Sequence, residues 1–163
     1  MDKRVFIDCD GVLYNLREHI RAAGLDVGDE SKYDFFTPEI FHFLNSRTID
    51  WWMSIPLYGH AKPLIQLLKG MNKVYVTFPF NEVMAAARFM LFRAQEEPYM
   101  MTNVRYLIAN ENTLLIDDCD VNVGLWRRFG GKAILLPQRY NDAHAHFHRP
   151  LGYVGEQLEA LKW

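Results

Sequence analysis

An α/β sandwich, with a parallel sheet held between helices, follows from three features of the 163-residue sequence. Short apolar runs alternate with longer stretches of helical period, and the strand, helix, strand rhythm marks parallel pairing. Two of these runs end in aspartate clusters, Asp8-Cys9-Asp10 and Asp117-Asp118-Cys119-Asp120. Half of the residues are hydrophobic and 23% are charged, which at this length supplies the core of one domain and excludes disorder and fibrous repeats.

The elements can be taken in chain order. Arg4-Val5-Phe6-Ile7 is a buried strand that opens into the loop Asp8-Cys9-Asp10-Gly11. From Val12 to Ala23 the residues Leu13, Leu16, Ile20 and Ala23 recur at helical spacing, and Gly24 ends the pattern. Positions 25–59 lose this regularity: Tyr33-Asp34-Phe35-Phe36-Thr37-Pro38, a short helix from Pro38 to Asn45 and Thr48-Ile49-Asp50-Trp51-Trp52-Met53 make an aromatic-rich insertion, read as a small cap. Regular alternation then resumes with a helix over Ala61–Lys69, a turn at Gly70 and a strand over Lys73–Thr77. A long helix follows to about Gln95, capped by Asn81. Further strands are expected near Pro98–Met101, at Thr113–Ile116 and at Ala133–Leu136. Helices are expected over Val121–Phe129 and from about Tyr153 to Lys162. The whole chain, 1–163, reads as one domain with the cap inserted after the first strand and helix.

Eighteen Lys and Arg stand against twenty Asp and Glu, so no global charge draws the molecule to nucleic acid or anionic membrane. An extended nucleic-acid surface is not expected. The start, Met1-Asp2-Lys3-Arg4, runs directly into a strand, and no apolar stretch is long enough to span a bilayer. Two cysteines are too few for a disulfide framework, so a reducing cytoplasm is the expected location. Eleven Phe, eight Tyr and four Trp are the unusual feature of the composition, since stacking surfaces can use them as well as a core.

In an open parallel sheet, ligands bind outside the carboxyl ends of the strands. There Asp8, Asp10, Thr77, Asp117 and Asp118 converge. Four carboxylates in one crevice repel one another unless a cation lies among them. Hard oxygen ligands of this kind suit Mg²⁺ bound together with a substrate phosphate. A solvated acidic rim is the rival reading, but it leaves unexplained why both clusters stand at strand ends.

The run Asp8-Cys9-Asp10-Gly11-Val12-Leu13, Thr77 and Leu114-Leu115-Ile116-Asp117-Asp118 resemble motifs I, II and IV of the haloacid dehalogenase-like phosphohydrolases. Val76-Thr77-Phe78-Pro79 and the Leu-Ile-Asp-Asp run look more closely like the 5'(3')-deoxyribonucleotidase branch, whose members carry a comparably small aromatic cap between motifs I and II. Gly130-Gly131-Lys132-Ala133-Ile134, Pro137 and Asn141 are similar to bacterial and phage members, so the resemblance covers roughly positions 4 to 141. It implies a Rossmann-like parallel sheet and a Mg²⁺-dependent phosphomonoesterase acting on nucleoside monophosphates, deoxyribonucleotides above all. Asp8 would be the nucleophile and Asp10 the general acid and base. Asp8, the Asp10 backbone carbonyl and Asp118 would hold Mg²⁺, with Asp117 a partial or outer ligand, and Thr77 would grip the phosphate. Leu16, Phe35 and Phe36 fall at positions that face the base.

Motif III departs from the family, which places a Lys there. Between Glu97 and Asp117 the only basic residue is Arg105, which can supply the charge with a different geometry. The expected partner is a small-molecule nucleotide, and a homodimer stays open. Three alternatives share these residues: a phosphatase for another small metabolite, a phosphatase for a polynucleotide 3' end, and a non-catalytic nucleotide-binding module. The last has no use for both Asp8 and Asp10.

Other residues carry plainer readings. Trp51 and Trp52 are assigned to packing, and Arg127-Arg128 to a solvated helix face. His144, His146 and His148 alternate, which on a strand would align three imidazoles for a transition metal, but their surroundings read as loop. Asn122 is a candidate support for the site. Cys9 and Cys119 each adjoin an acidic motif, so a redox-sensitive pair is weighed against simple packing.

Overall fold

A computed structural model describes residues 2–33 and 35–163. Met1 and Asp34, both within segments singled out above, lie outside the described residues.

Five parallel strands form the sheet in the order β3-β2-β1-β4-β5: β1 Arg4–Asp8, β2 Asn72–Thr77, β3 Tyr99–Met101, β4 Thr113–Asp117 and β5 Lys132–Leu135. Helices α1 Leu16–Ala22, α2 Pro38–Asn45, α3 Ile49–Met53, α4 Ala61–Leu67, α5 Glu82–Gln95, α6 Asp120–Arg128 and α7 Pro150–Ala160 complete the fold. Successive side chains of a strand point to opposite faces, so each face has its own core. Val5, Ile7, Tyr75, Leu114 and Ile116 pack with Ile20, Leu64, Met84, Phe92 and Val154 from the helices of one face. Phe6, Val76, Leu115, Ala133 and Leu135 pack with Val123 and Trp126 of α6 on the other. This is the predicted Rossmann-like sandwich.

Local chemistry accounts for most of the boundaries. Asn15, Thr37, Thr48 and Asn81 cap α1, α2, α3 and α5 by accepting a backbone N–H three residues on. α1 begins at Leu16, four residues after the predicted Val12, because residues 11–14 form a turn in which the Leu13 and Tyr14 amides donate to the Cys9 carbonyl. α7 begins at Pro150, three residues before the predicted Tyr153: proline is suited to a first helical turn, where its missing N–H is not needed. Segment 25–59 contains α2 and α3. Ile40, Leu44 and Trp52 join the main core, and α3 packs on α5. Among the described residues no helix is long and apolar enough to cross a membrane.

Candidate active site

Register brings the two acidic motifs together. Ile7 pairs with Ile116, so the next residues, Asp8 and Asp117, end adjacent strands side by side. The chain winds from β1 to β3 on one side and then crosses to β4 on the other, and the crevice between β1 and β4 is the switch point where such sheets bind ligands.

Asp8, Asp117 and Asp118 are buried, and one oxygen from each lies within 4.8 Å of the others. Arg105, on a short 3-10 turn after β3, bridges two of them: its Nη1 donates to Asp8 Oδ1 and, at 2.7 Å, to Asp117 Oδ2. Asp117 also accepts the Cys119 amide at 2.9 Å and Asn122 Nδ2 at 3.1 and 3.2 Å. Asn122 therefore reaches the site from the first turn of α6. Tyr140 donates to Asp118 Oδ2 at 2.5 Å. Asn141 Nδ2 ties the Asp118 carbonyl (2.9 Å) to that of Leu136 (2.8 Å), fastening the segment after β5 to β4.

Burial dominates the electrostatics. It raises the pKa of Asp8 well above the carboxylate range, with Arg105 opposing the shift, and it raises that of Asp117 as well. Burial, reinforced by the Asp117 charge, pushes Asp118 up to about 8. Burial works against the charge of Arg105, but Asp8 and Asp117 outweigh it and hold its pKa above the ordinary value. One guanidinium thus pairs with two of three buried carboxyls, which leaves room for further positive charge. Hard oxygen donors this close together fit Mg²⁺.

Asp10 is not part of this cluster. Its Oδ1 accepts Nη2 of Arg88 from α5 at 2.5 Å, so only its backbone carbonyl stays a candidate metal ligand. Gly11 has a φ of +88°, and a Cβ there would lie 2.1 Å from Asp118 Oδ2, so glycine is required twice over. Thr77 lies one residue beyond Val76, the partner of Asp8. Its hydroxyl is buried and has no hydrogen-bond partner among the described residues.

A cavity of about 570 Å³ opens over these groups, within the size range of small-molecule sites. Asp8, Asp10, Arg105, Asp117, Asp118 and Asn122 are among its polar lining, and Leu16, Phe36, Phe41, Trp52, Phe78 and Phe80 among its apolar lining. Phe35 stacks on Phe36 at 4.4 Å and lines a smaller adjoining pocket with Asp10, Leu16, Arg17 and Tyr140. The structure therefore gathers Asp8, Asp10, Leu16, Phe36, Arg105, Asp117 and Asp118 around one cavity, with Phe35 in the adjoining pocket, whereas Thr77, at the end of β2, lines neither.

Sequence reading missed Arg88, Tyr140, Phe41 and Phe80. Arg88 did leave a signal, because it interrupts the apolar stripe Met84, Ala87, Phe92, and a charge there needs a buried partner. Tyr140 left none. Trp51 and Trp52 pack edge to face at 5.1 Å, although Trp52 also touches the cavity. Arg127 is not simply solvated, since its Nη2 donates to the Ala133 carbonyl at 2.8 Å. The three histidines do not converge: His144 bonds the Asn141 carbonyl, His146 stacks on Tyr153, and His148 meets the edge of Phe147. Cys9 and Cys119 are free thiols, and burial raises both pKa values, which works against a reactive thiolate.

No protein-family model matches the sequence, and no curated protein does. Solved structures do match. An L-2-haloacid dehalogenase from Xanthobacter autotrophicus, with chloropropionic acid covalently bound, superimposes with a TM-score of 0.58 at 12% identity over 90% of this chain and 82% of its own. A HAD-superfamily hydrolase of subfamily IA from Geobacter sulfurreducens gives 0.54 at 17% identity, covering 89% and 94%. A hydrolase from Pseudomonas syringae gives 0.51 at 14% identity, covering 96% and 90%. The chain shares the α/β fold of HAD-superfamily hydrolases.

Proposed function

We propose that the protein is a Mg²⁺-dependent phosphomonoesterase acting on nucleoside monophosphates, with deoxyribonucleotides the favoured class. The observation that carries this reading is the Asp8, Arg105, Asp117 and Asp118 cluster in the lining of an aromatic cavity. Asp8, Asp117 and Asp118 would hold the Mg²⁺, which when bound screens the phosphate charge and the carboxylates.

Asp8 attacks phosphorus in line, and the ester oxygen leaves with a proton from Asp10. Asp10 then takes a proton from water, whose oxygen attacks the aspartyl-phosphate and frees phosphate and Asp8. Arg105 sets Asp8 in place and offsets its charge. The Thr77 hydroxyl, buried and unpartnered, gains an acceptor when a phosphate oxygen arrives. Segment 25–59 acts as the cap, and its aromatic rings offer faces on which a base stacks.

A nucleophilic aspartate would also serve dehalogenation, the chemistry named for one structural neighbour. Halide departure needs no proton donor, whereas departure of an ester oxygen does, so the Asp10 carboxyl in the lining favours phosphoryl transfer. The test is phosphate release from deoxyribo- and ribonucleoside 5'- and 3'-monophosphates and sugar phosphates, with Mg²⁺ or with a chelator. Release from deoxyribonucleotides in Mg²⁺ alone is expected. Preference for sugar phosphates would overturn the substrate class, and activity indifferent to chelation would overturn the metal.

A further inference from the structure

Arg88 is the most deeply buried charge outside the carboxylate cluster, at 1% exposure, and the proposed chemistry leaves it without a task. It projects from α5 at a position where an apolar side chain would continue the stripe Met84, Ala87, Phe92. Its guanidinium lies 4.1 Å from the ring centre of Tyr14, and its Nη2 donates to Asp10 Oδ1 at 2.5 Å. Nε and Nη1 have no hydrogen-bond partner among the described residues, and Asp10 is the one carboxylate paired with this buried cation there. Tyr14 in turn bridges to Asp10 along one side and to Leu57, at the end of the cap segment, along the other.

Resting on the phosphomonoesterase reading, we propose that Arg88 is a positioning residue that fixes the Asp10 carboxylate for proton transfer. Burying a guanidinium is costly, and Met or Leu would fill the same stripe without that cost. What the cation adds is a fixed anchor for Asp10. The Asp10 side chain is about one quarter exposed and shares the cavity lining with the acidic cluster, so burial alone does not fix it. With Oδ1 held by Arg88 and the guanidinium held by the Tyr14 ring, Oδ2 is left to meet the ester oxygen of the substrate. A proton donor displaced by even a fraction of an ångström loses much of its effect.

The consequence depends on the leaving group. p-Nitrophenoxide departs without a proton, whereas the alkoxide of a nucleotide needs one. In Arg88→Met, kcat/KM for a deoxyribonucleoside 5'-monophosphate is expected to fall about 100-fold, the usual contribution of a general acid, while kcat/KM for p-nitrophenyl phosphate falls less than about threefold. Arg88→Lys keeps the cation and should recover most of the loss. Combined with Asp10→Asn, Arg88→Met should add nothing further. If Arg88→Met does not fold, the same contrast is read on Arg88→Lys, whose single ammonium reaches less far and should lose an intermediate factor on the nucleotide alone. Equal losses on both esters, or additive losses with Asp10→Asn, overturn the assignment of Arg88 and leave the phosphatase reading intact. A wild-type protein inert toward both esters overturns that reading, and the assignment with it.

Discussion

At the scale of single residues, the site is a balance between three buried acids and one guanidinium. Arg105 is the only cation that touches Asp8 and Asp117 among the described residues, and Arg105→Ala leaves both facing each other. Loss of a pre-set charge of this kind costs about 100-fold or more in kcat, so Arg105→Ala should be nearly inactive and Arg105→Lys should keep substantial activity. Equal activity in all three proteins would place the cation elsewhere. The pKa shifts carry a second expectation. In the unfolded chain these carboxyls release their protons near pH 4, whereas burial raises Asp8 and Asp117 and carries Asp118 up to about 8. Between those limits the metal-free folded state holds more protons than the unfolded one. The contribution of these three groups to stability is therefore fully present below the unfolded pKa and is lost as pH rises toward 8. Mg²⁺ should remove most of that loss, so the difference in Tm between Mg²⁺ and chelator should widen from pH 5 to pH 8. A constant difference, or none, would contradict it.

At the scale of elements, Arg17 organises the start of segment 25–59. Its guanidinium donates to the carbonyls of Val27, Asp29 and Lys32 at 2.7 to 2.9 Å and lies over the Phe35 ring at 4.8 Å. One side chain thus replaces the regular hydrogen bonds that segment 25–32 lacks. Arg17→Met should cost about 2 kcal/mol in urea unfolding and raise KM more than it lowers kcat, with faster amide exchange confined to residues near 27–32. Unchanged exchange there would remove Arg17 from this role. The strands, α2 and α5 were legible in the sequence because period and caps agree: Pro38–Asn45 matches its predicted bounds, and Asn81 caps α5. The 3-10 turn that carries Arg105 was not, since four residues show no period and its place depends on contacts with β1 and β4. The early start of α7 was hidden because Arg149-Pro150 reads equally as the end of a loop.

At the scale of the molecule, the sheet order does the work of assembly. Placing β1 between β2 and β4 brings residues 8 and 117 together, and the acidic ends of those two strands were readable from aspartates following apolar runs. The lining was less readable. Phe36 and Leu16 were singled out, whereas Phe41, Phe78 and Phe80 reach the cavity through folding of 25–59 against the segment after β2, which no local pattern encodes. Arg88 and Tyr140 meet their aspartates across 78 and 22 positions for the same reason.

In the proposed reaction Asp8 carries the phosphoryl group between substrate and water. Acid quenching during turnover of a deoxyribonucleoside monophosphate, followed by mass spectrometry of the peptide containing Asp8, tests it most directly. One phosphoryl group on Asp8 is expected in the presence of Mg²⁺, with neither the adduct nor phosphate release in Asp8→Asn. Sustained phosphate release by Asp8→Asn, at more than about a hundredth of the wild-type rate, would contradict it.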